Sequence, residues 1–404
     1  MDTLVMGIDT IATASASALS IPADTTSPPL SSDTSPSDTS PSDTPSPSEQ
    51  DVSESIPGPK VSVFMATYNY GRFIEQAIDS VLAQTFAEFE LIIGDNASTD
   101  DTAALVQPYL SDPRVSYFCN DENLGVCENF NRCYRAMHPD SRYFIGLPAD
   151  DYWDETLLAS LFDIAERHPE VTFVHCDGYR FEDNPEGNPA TPDVYGTFTE
   201  LFGDILPPQG RHRTLRELYH RNYIPFQGAF VNKTQFLAYY PYDDPYYDAL
   251  PLTTDYHLWS QILTRGGLAY FHPEPLVYVR KHGQALTSEK NIIARLKEEY
   301  KLLSGLREVA SPQMMETLER NIYERGKRLL FKLLEVAELE QASTLLAELM
   351  TLASRPSADR LGADKLGADV QAARAILALP LSKRLQARLW RLLSQGWQAL
   401  NRSY

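Results

Sequence analysis

From Val61 onward the chain alternates between short apolar runs and helical spacings. Residues 61–67, VSVFMAT, form an unbroken apolar stretch that gives way to TYNYGR, which predicts a buried strand entering a loop. Ile74, Ala77, Ile78, Val81 and Leu82 then recur at helical spacing, and residues 89–93 form a second apolar run. The same alternation predicts a helix near 102–110, a strand at 115–118 and a helix whose apolar face is Phe130, Cys133, Tyr134 and Met137. A strand at 143–147, a helix around Leu157, Leu158, Leu161, Phe162 and Ala165, and a strand at 171–176 complete it. Strands separated by helices imply an α/β fold with a mostly parallel, Rossmann-like sheet flanked by helices.

In such sheets ligands sit beyond the carboxyl ends of the strands. The polar residues there are Thr67-Tyr68-Asn69 after the first strand, Asp95-Asn96-Ala97-Ser98 after the second, and Asp150-Asp151 after the fourth. All three groups are expected to converge on one cleft.

Outside this region the pattern changes. Residues 25–59 are mostly Ser, Thr, Pro and Asp, with a near-repeat in SDTSPSDTSPSDTPSPS. Such a composition cannot offset chain entropy by burial and predicts disorder. Residues 178–251 are rich in Tyr, Phe, Pro and Asp and lack tidy alternation. Beyond residue 287 long helical patterns dominate, broken near 354–369 by LGADKLGAD. The expected organisation is a tail over 1–59, an α/β domain over 60–286 and a helical extension over 287–404. In the last helix Leu381, Leu385, Leu389, Leu392, Leu393, Trp397 and Leu400 share one side, with Arg384, Arg388, Arg391 and Arg402 beside them. Packing on neighbouring helices is the favoured reading, and peripheral contact with an anionic membrane is the alternative.

The net charge of -20 argues against a nucleic-acid partner. Nine carboxylates precede Lys60 in a stretch without Lys or Arg, so the remainder is less acidic than the total. Cys119, Cys127, Cys133 and Cys176 show neither zinc-site pairs nor the density of a disulfide scaffold, and are expected to be buried thiols. The start of the chain lacks a basic signal-peptide region and no apolar run reaches membrane-spanning length. A cytoplasmic location is expected, with the inner face of the plasma membrane as the peripheral alternative.

Several polar residues admit two readings. Asp150-Asp151, in FIGLPADDYW, places adjacent carboxylates beyond a strand, where a divalent cation bound to a diphosphate would offset their repulsion. The competing role is a cap, by Asp151 or Asp154, for the helix beginning near Thr156. Asp95 suits a base or ribose contact but equally an Asx turn, and Asn123, Gly125 and Asn129 in DENLGVCEN equally suit a turn.

Taken in order, VSVFMATYN, ELIIGDNASTDDT, NLGVCEN, YFIGLPADDYW, TTDYHLW and YVRKHG resemble glycosyltransferase family 2 with its GT-A fold, over about 60–282. The resemblance implies an inverting transferase moving sugar from a nucleotide sugar, most often a UDP-sugar, to a hydroxyl on a glycan or lipid-linked acceptor in surface polysaccharide or glycoconjugate synthesis. It assigns Thr67 and Asp95 to the uracil and ribose, with Tyr68, Asn69, Asn123 and Asp150 completing the nucleotide-sugar site. Asp150, Asp151 and His282 would serve Mn²⁺ or Mg²⁺, and Asp255 would be the general base. Arg280 and Lys281 are left open between solvated charge and diphosphate contact, and Tyr223, Phe226, Tyr239, Tyr240 and Tyr246 are open between stacking faces for sugars and ordinary packing, packing being favoured for any one of them. Two departures stand out: the metal motif lacks its first acid, reading Pro148-Ala149-Asp150-Asp151, and Thr254-Asp255 replaces the usual Glu-Asp. A catalytically weak nucleotide-sugar or glycan-binding module is the competing function.

Overall fold

The computed structural model describes residues 58–182, 193–203, 207–240, 242–246, 248–283, 285, 289–353, 368–380 and 382–391. The Ser/Thr/Pro/Asp-rich stretch up to residue 57, the LGADKLGAD repeat before Ala368 and the chain beyond Arg391 lie outside the described residues.

With elements numbered in chain order, β1 (Val61–Thr67) pairs in parallel with β2 (Phe89–Asp95) and β4 (Tyr143–Gly146), and β2 pairs in parallel with β3 (Val115–Cys119). Helices α1 (Gly71–Leu82), α2 (Thr102–Val106) and α3 (Val126–Arg135) fill the crossovers. All seven residues of β1 are buried, as a strand covered on both faces requires. Val61, Val63 and Met65 pack among Ile74, Ile78, Leu158 and Leu161 of α1 and α4 (Leu157–Arg167). Phe64 and Ala66 point the other way, toward Phe130 and Cys133 of α3. Burying one such large side chain is worth about 1.5–3 kcal/mol.

Beyond β4 the sheet becomes mixed. β9 (Ala229–Asn232) lies antiparallel between β4 and β6 (Phe173–Glu182), and β6 pairs in parallel with β10 (Ala269–Arg280). Short antiparallel strands β5 (Tyr152–Trp153), β7 (Asp193–Thr197) and β8 (Gly210–His212) complete this half. The remaining helices of the α/β region are α5 (Phe198–Phe202), α6 (Leu215–His220), α7 (Lys233–Tyr239) and α8 (Thr254–Thr264). They are followed by α9 (Ile292–Gly305), α10 (Pro312–Glu335), α11 (Leu339–Ala353) and α12 (Ala368–Leu377).

The C-terminal helices are no detached appendage. Leu303, Ile322, Leu330 and Leu349 belong to the same buried cluster as Phe64, Phe173 and Trp259. Residues 383–391 are also helical, and there Trp390 is buried against Phe331 with ring centroids 4.8 Å apart. Leu385 is exposed. The buried residues there, Gln386, Ala387 and Trp390, are not members of the expected apolar stripe; of that stripe Leu389 is half-buried, while Leu381, Leu392, Leu393, Trp397 and Leu400 lie outside the described residues. None of the described helices is long and apolar enough to cross a membrane.

One expectation needs correction, and one choice left open by the sequence is resolved toward packing. Cys127, Cys133 and Cys176 are buried, but Cys119 is exposed because it ends the edge strand β3. Tyr223, Tyr240 and Tyr246 are buried in the core, so their faces meet protein rather than sugar. Aromatic rings supply the area that a region of short strands needs for its own packing.

Candidate active site

The carboxyl ends of β1 and β2 lie side by side, with Thr67 opposite Asp95 in register. The loops that leave them carry Asn69 (φ 57°) and Ala97 (φ 63°), both non-glycine residues in the left-handed region. Such strain persists only where the surroundings enforce it. Here Asn69 accepts hydrogen bonds from the Thr99 backbone N–H at 2.7 Å and the Thr99 hydroxyl at 3.3 Å, and its own N–H donates to Ser98 Oγ at 2.9 Å. Tyr68 is exposed beside it.

Asp95 is fully buried. One oxygen accepts the Ser98 N–H at 2.8 Å and the other the Tyr117 hydroxyl at 2.9 Å. Burial, and then the neighbouring Asp95 carboxylate, push the Tyr117 phenol up, so it remains a donor. The Thr67 hydroxyl is buried and has no hydrogen-bond partner among the described residues. A buried unsatisfied hydroxyl costs about 1–3 kcal/mol, which a ligand atom at this strand end would recover.

Asn123 sits in a lattice of asparagines. It accepts from the Asn96 amide at 2.8 Å and the Gly125 N–H at 2.9 Å, while Asn120 donates to Asn96 at 2.9 Å and to Asn129 at 3.0 Å. Asn129 in turn donates to the Gly94 carbonyl at 2.7 Å. The Asn123 carbonyl oxygen is therefore committed to holding the loop against β2. Gly125, the N-cap of α3, has φ 89°, a conformation that favours glycine.

Asp150 and Asp151 are both buried but face different partners. Asp150 lies 2.9 Å from His282 Nε2 and shares a hydrogen bond with the Tyr70 hydroxyl. Tyr70 and Phe73 also pack their rings on His282, at 5.8 and 5.1 Å between centroids. Asp151 accepts the Arg280 backbone N–H at 2.7 Å on one oxygen and the Gln227 amide on the other. Burial, and then the adjacent Asp150 charge, raise its pKa well above the usual carboxylate range. The helix-cap alternative is met by neither acid: the N-cap of α4 is Thr156, without a side-chain cap hydrogen bond, and Asp154 accepts the Thr156 N–H at 3.0 Å and the Thr156 hydroxyl at 2.6 Å in the turn before it.

Arg280 is buried and joins these parts. Its Nε donates to the Asp150 carbonyl at 2.8 Å, its Nη2 to Gln76 at 2.5 Å, and its guanidinium lies 4.6 Å from the ring centroids of Phe73 and Phe181. Lys281 instead points outward and pairs with Glu182 at 2.5 Å. Of the two cations left open by the sequence, Arg280 is the one built into the site.

Among the described residues no three His, Cys, Asp or Glu side chains form a ready-made metal cage. Asp150 and His282 nevertheless suit a cation such as Mg²⁺ or Mn²⁺, which takes one or two carboxylates and completes its shell with water and phosphate oxygens. Asp151, with both oxygens engaged by protein donors, suits direct ligation less well.

Asp255 stands in the first turn of α8, whose N-cap is Thr253. It is partly exposed and accepts the Asn222 amide at 2.9 Å. Burial raises its pKa to about 6, against the opposing pull of the Tyr256 N–H and Asn222. The Asn222 carbonyl oxygen accepts the Ile224 N–H at 3.3 Å, which fixes the orientation of the amide. The stretch 222–227 thus touches two acids, Asp255 through Asn222 and Asp151 through Gln227.

Residues 62–234 match the family model for glycosyl transferase family 2. Over that stretch the chain is similar to glycosyltransferase family 2. WcaA of Escherichia coli (strain K12), named as a colanic acid biosynthesis glycosyl transferase, is 33% identical over 142 residues, or 34% of this chain and 49% of that protein. The match spans only about half of WcaA. An uncharacterised Haemophilus influenzae glycosyltransferase is 26% identical over 240 residues, covering 58% of this chain and 69% of its own. Among solved structures, S. aureus TarS 1-349 in complex with UDP-GlcNAc superposes with a TM-score of 0.59 at 15% identity, covering 84% of this chain and 92% of that one. At that identity the likeness is one of fold, and the chain has the GT-A architecture.

Sequence reasoning missed Tyr70, Gln227 and Asn222. Tyr70 adjoined a named loop and was within reach of the motif. Gln227 and Asn222 carried no local signal, since they meet acids 76 and 33 residues away.

Proposed function

We propose that this chain is an inverting glycosyltransferase that moves a sugar from a nucleotide diphosphate, UDP being favoured, to a hydroxyl acceptor in surface polysaccharide or glycoconjugate synthesis. The observation that carries the reading is the contrast between Asp150, grouped with His282 and Tyr70, and Asp255, held by Asn222 with its pKa raised to about 6. Asp255 is ionised at neutral pH yet basic enough to take a proton, the balance a general base needs.

Asp255 accepts the acceptor hydroxyl's proton as that oxygen bonds to the anomeric carbon. The bond from the anomeric carbon to the diphosphate oxygen breaks, and its electron pair leaves with the nucleoside diphosphate. Attack opposite the leaving group inverts the anomeric configuration. Asn222 holds Asp255, and the unpartnered Thr67 hydroxyl and Asp95 are the base and ribose contacts. Asp150 and His282 would hold Mn²⁺ or Mg²⁺, which supplies neutralising charge to the diphosphate.

Thermal denaturation of the purified chain with Mn²⁺ and a panel of nucleotide sugars tests this, because a ligand of the native state raises the melting temperature. UDP-sugars are expected to stabilise and to yield UDP with a suitable acceptor. A panel in which no nucleotide sugar stabilises the chain contradicts the proposal.

A further inference from the structure

Helix α8, which carries Asp255 in its first turn, opens without a side-chain cap of its own. Its N-cap is Thr253, a residue type that commonly closes a helix by accepting an N–H of the first turn. The Thr253 hydroxyl instead donates to Oε2 of Glu298 at 3.1 Å, and the same oxygen accepts the Leu252 backbone N–H at 2.8 Å. The Thr253 carbonyl then accepts the His257 N–H at 2.8 Å and starts the helix. Thr253 is buried and Glu298 half-buried, a setting in which hydrogen bonds are stronger than in water. A carboxylate at a helix N-terminus is also favoured by the helix dipole.

Glu298 belongs to α9 and stands 46 and 45 residues from its two donors. Leu296, Leu302 and Leu303 anchor α9 in the core. The next residue, Glu299, pairs with Arg325 at 2.9 Å, and Arg325 donates to the His220 carbonyl at 2.6 Å. His220 ends α6, just before the segment from which Asn222 donates to Asp255 at 2.9 Å. Adjacent acids of one helix thus hold both partners of the Asp255–Asn222 contact. Glu298 holds the helix that bears the carboxylate, and Glu299, through Arg325, holds the segment that bears the amide. A displacement of about 1 Å at a catalytic group can cost roughly 10²-fold in rate, so the setting of α8 against that segment matters more than the energy of either bond.

We infer that Glu298 is a positioning residue for Asp255, acting through the backbone from which Asp255 projects, and that α9 makes the C-terminal helices part of the acceptor end of the site. The inference rests on the reading of Asp255 as the acceptor base.

The carboxyl resonance of Asp255 tests it, followed by carbon NMR of the full chain with isotope-labelled aspartate as pH is raised through the carboxylate range. The signal is assigned by its absence in Asp255→Asn. Its midpoint in the wild-type chain is expected at about 6, raised first of all by burial. Glu298→Ala removes both hydrogen bonds and loosens the first turn of α8, so the midpoint is expected to fall by roughly half a pH unit or more as water reaches the carboxylate. Glu298→Gln keeps an acceptor oxygen without the charge and should keep most of the wild-type midpoint. Thr253→Val deletes the hydroxyl, leaves the Leu252 bond, and should shift the midpoint part of the way; it decides the question if Glu298→Ala does not fold. Glu299, a charged neighbour of Asp255, is untouched in all three, and circular dichroism shows which variants are folded at the temperature of measurement. An unmoved midpoint in folded Glu298→Ala, or in Thr253→Val where only that variant folds, overturns the inference. So does an equal shift in Glu298→Gln and Glu298→Ala, because the charge and not the hydrogen bonds would then be acting. Undiminished turnover in Asp255→Asn would overturn the base, and with it the catalytic meaning of the contact, by a measurement independent of the resonance.

Discussion

The two ends of the proposed cleft are built differently. The donor end rests on strand termini of the parallel half-sheet, where Asp95 holds Ser98 and Asn96 holds Asn123 through short hydrogen bonds. The acceptor end rests on helices: Asp255 on α8, Asn222 just after α6, and Arg325 of α10 tying both to the C-terminal extension. One end is held by the sheet's own ladder and the other by side chains from distant parts of the chain. Substitutions at the donor end should therefore act on ligand affinity, and those at the acceptor end on turnover or on the fold.

The largest expected effect is that of Asp255→Asn, which should lower kcat by roughly 10²- to 10⁴-fold with donor affinity almost unchanged. Steady-state kinetics alongside donor titration checks this, and a large loss of donor binding would erase the contrast between the ends. Next is Arg325→Ala, which removes the shorter of the two ion pairs of the largely buried Glu299, leaving it Arg295 at 3.8 Å, and removes the donor to the His220 carbonyl. Breaking such a pair costs about 3–5 kcal/mol, readable as a lower urea midpoint. Were stability unchanged, the extension would be dispensable to the acceptor end. Asp150→Ala should weaken metal-dependent donor binding by about 10- to 100-fold, while kcat at saturating donor and metal falls less.

The smallest effect is one of pH. Since the proposed base acts deprotonated and has a pKa of about 6, turnover should rise through pH 6 and level off above it. Removing the Asn222 amide, which favours the charged form, should shift that rise to higher pH in Asn222→Ala. An unshifted profile would detach Asn222 from the base. The stability linkage has a definite sign. The folded pKa lies above the unfolded carboxylate value, so the folded chain is favoured at acid pH and this contribution is lost as pH rises through about 6. Asp255→Asn should consequently raise the melting temperature at neutral pH.

The same division decided what was legible in the sequence. The strand read at 61–67 coincides with β1, because an apolar run that short, ended by the Asn- and Gly-bearing loop, suits a strand buried on both faces better than a helix. The helix read near 102–110 is split, α-helical to Val106 and then 3₁₀ from Gln107, where Pro108 removes a backbone donor. Beyond residue 178 local pattern fails: β7, β8 and β9 are five residues or fewer, and their pairing with β4, β6 and β10 supplies what their own sequence does not. The pair Asp150-Asp151 stood out as chemistry, but its division of labour did not. Only the fold brings Gln227 and Arg280 to Asp151 while leaving His282 to Asp150.

The central claim is that this domain binds a nucleotide diphosphate through a cation held at Asp150. Calorimetric titration of UDP into the wild-type chain with Mn²⁺, and again with a chelator, tests it most directly. The account predicts one-to-one binding that is lost or greatly weakened by chelation, and UDP affinity that is equal with and without the metal would contradict it.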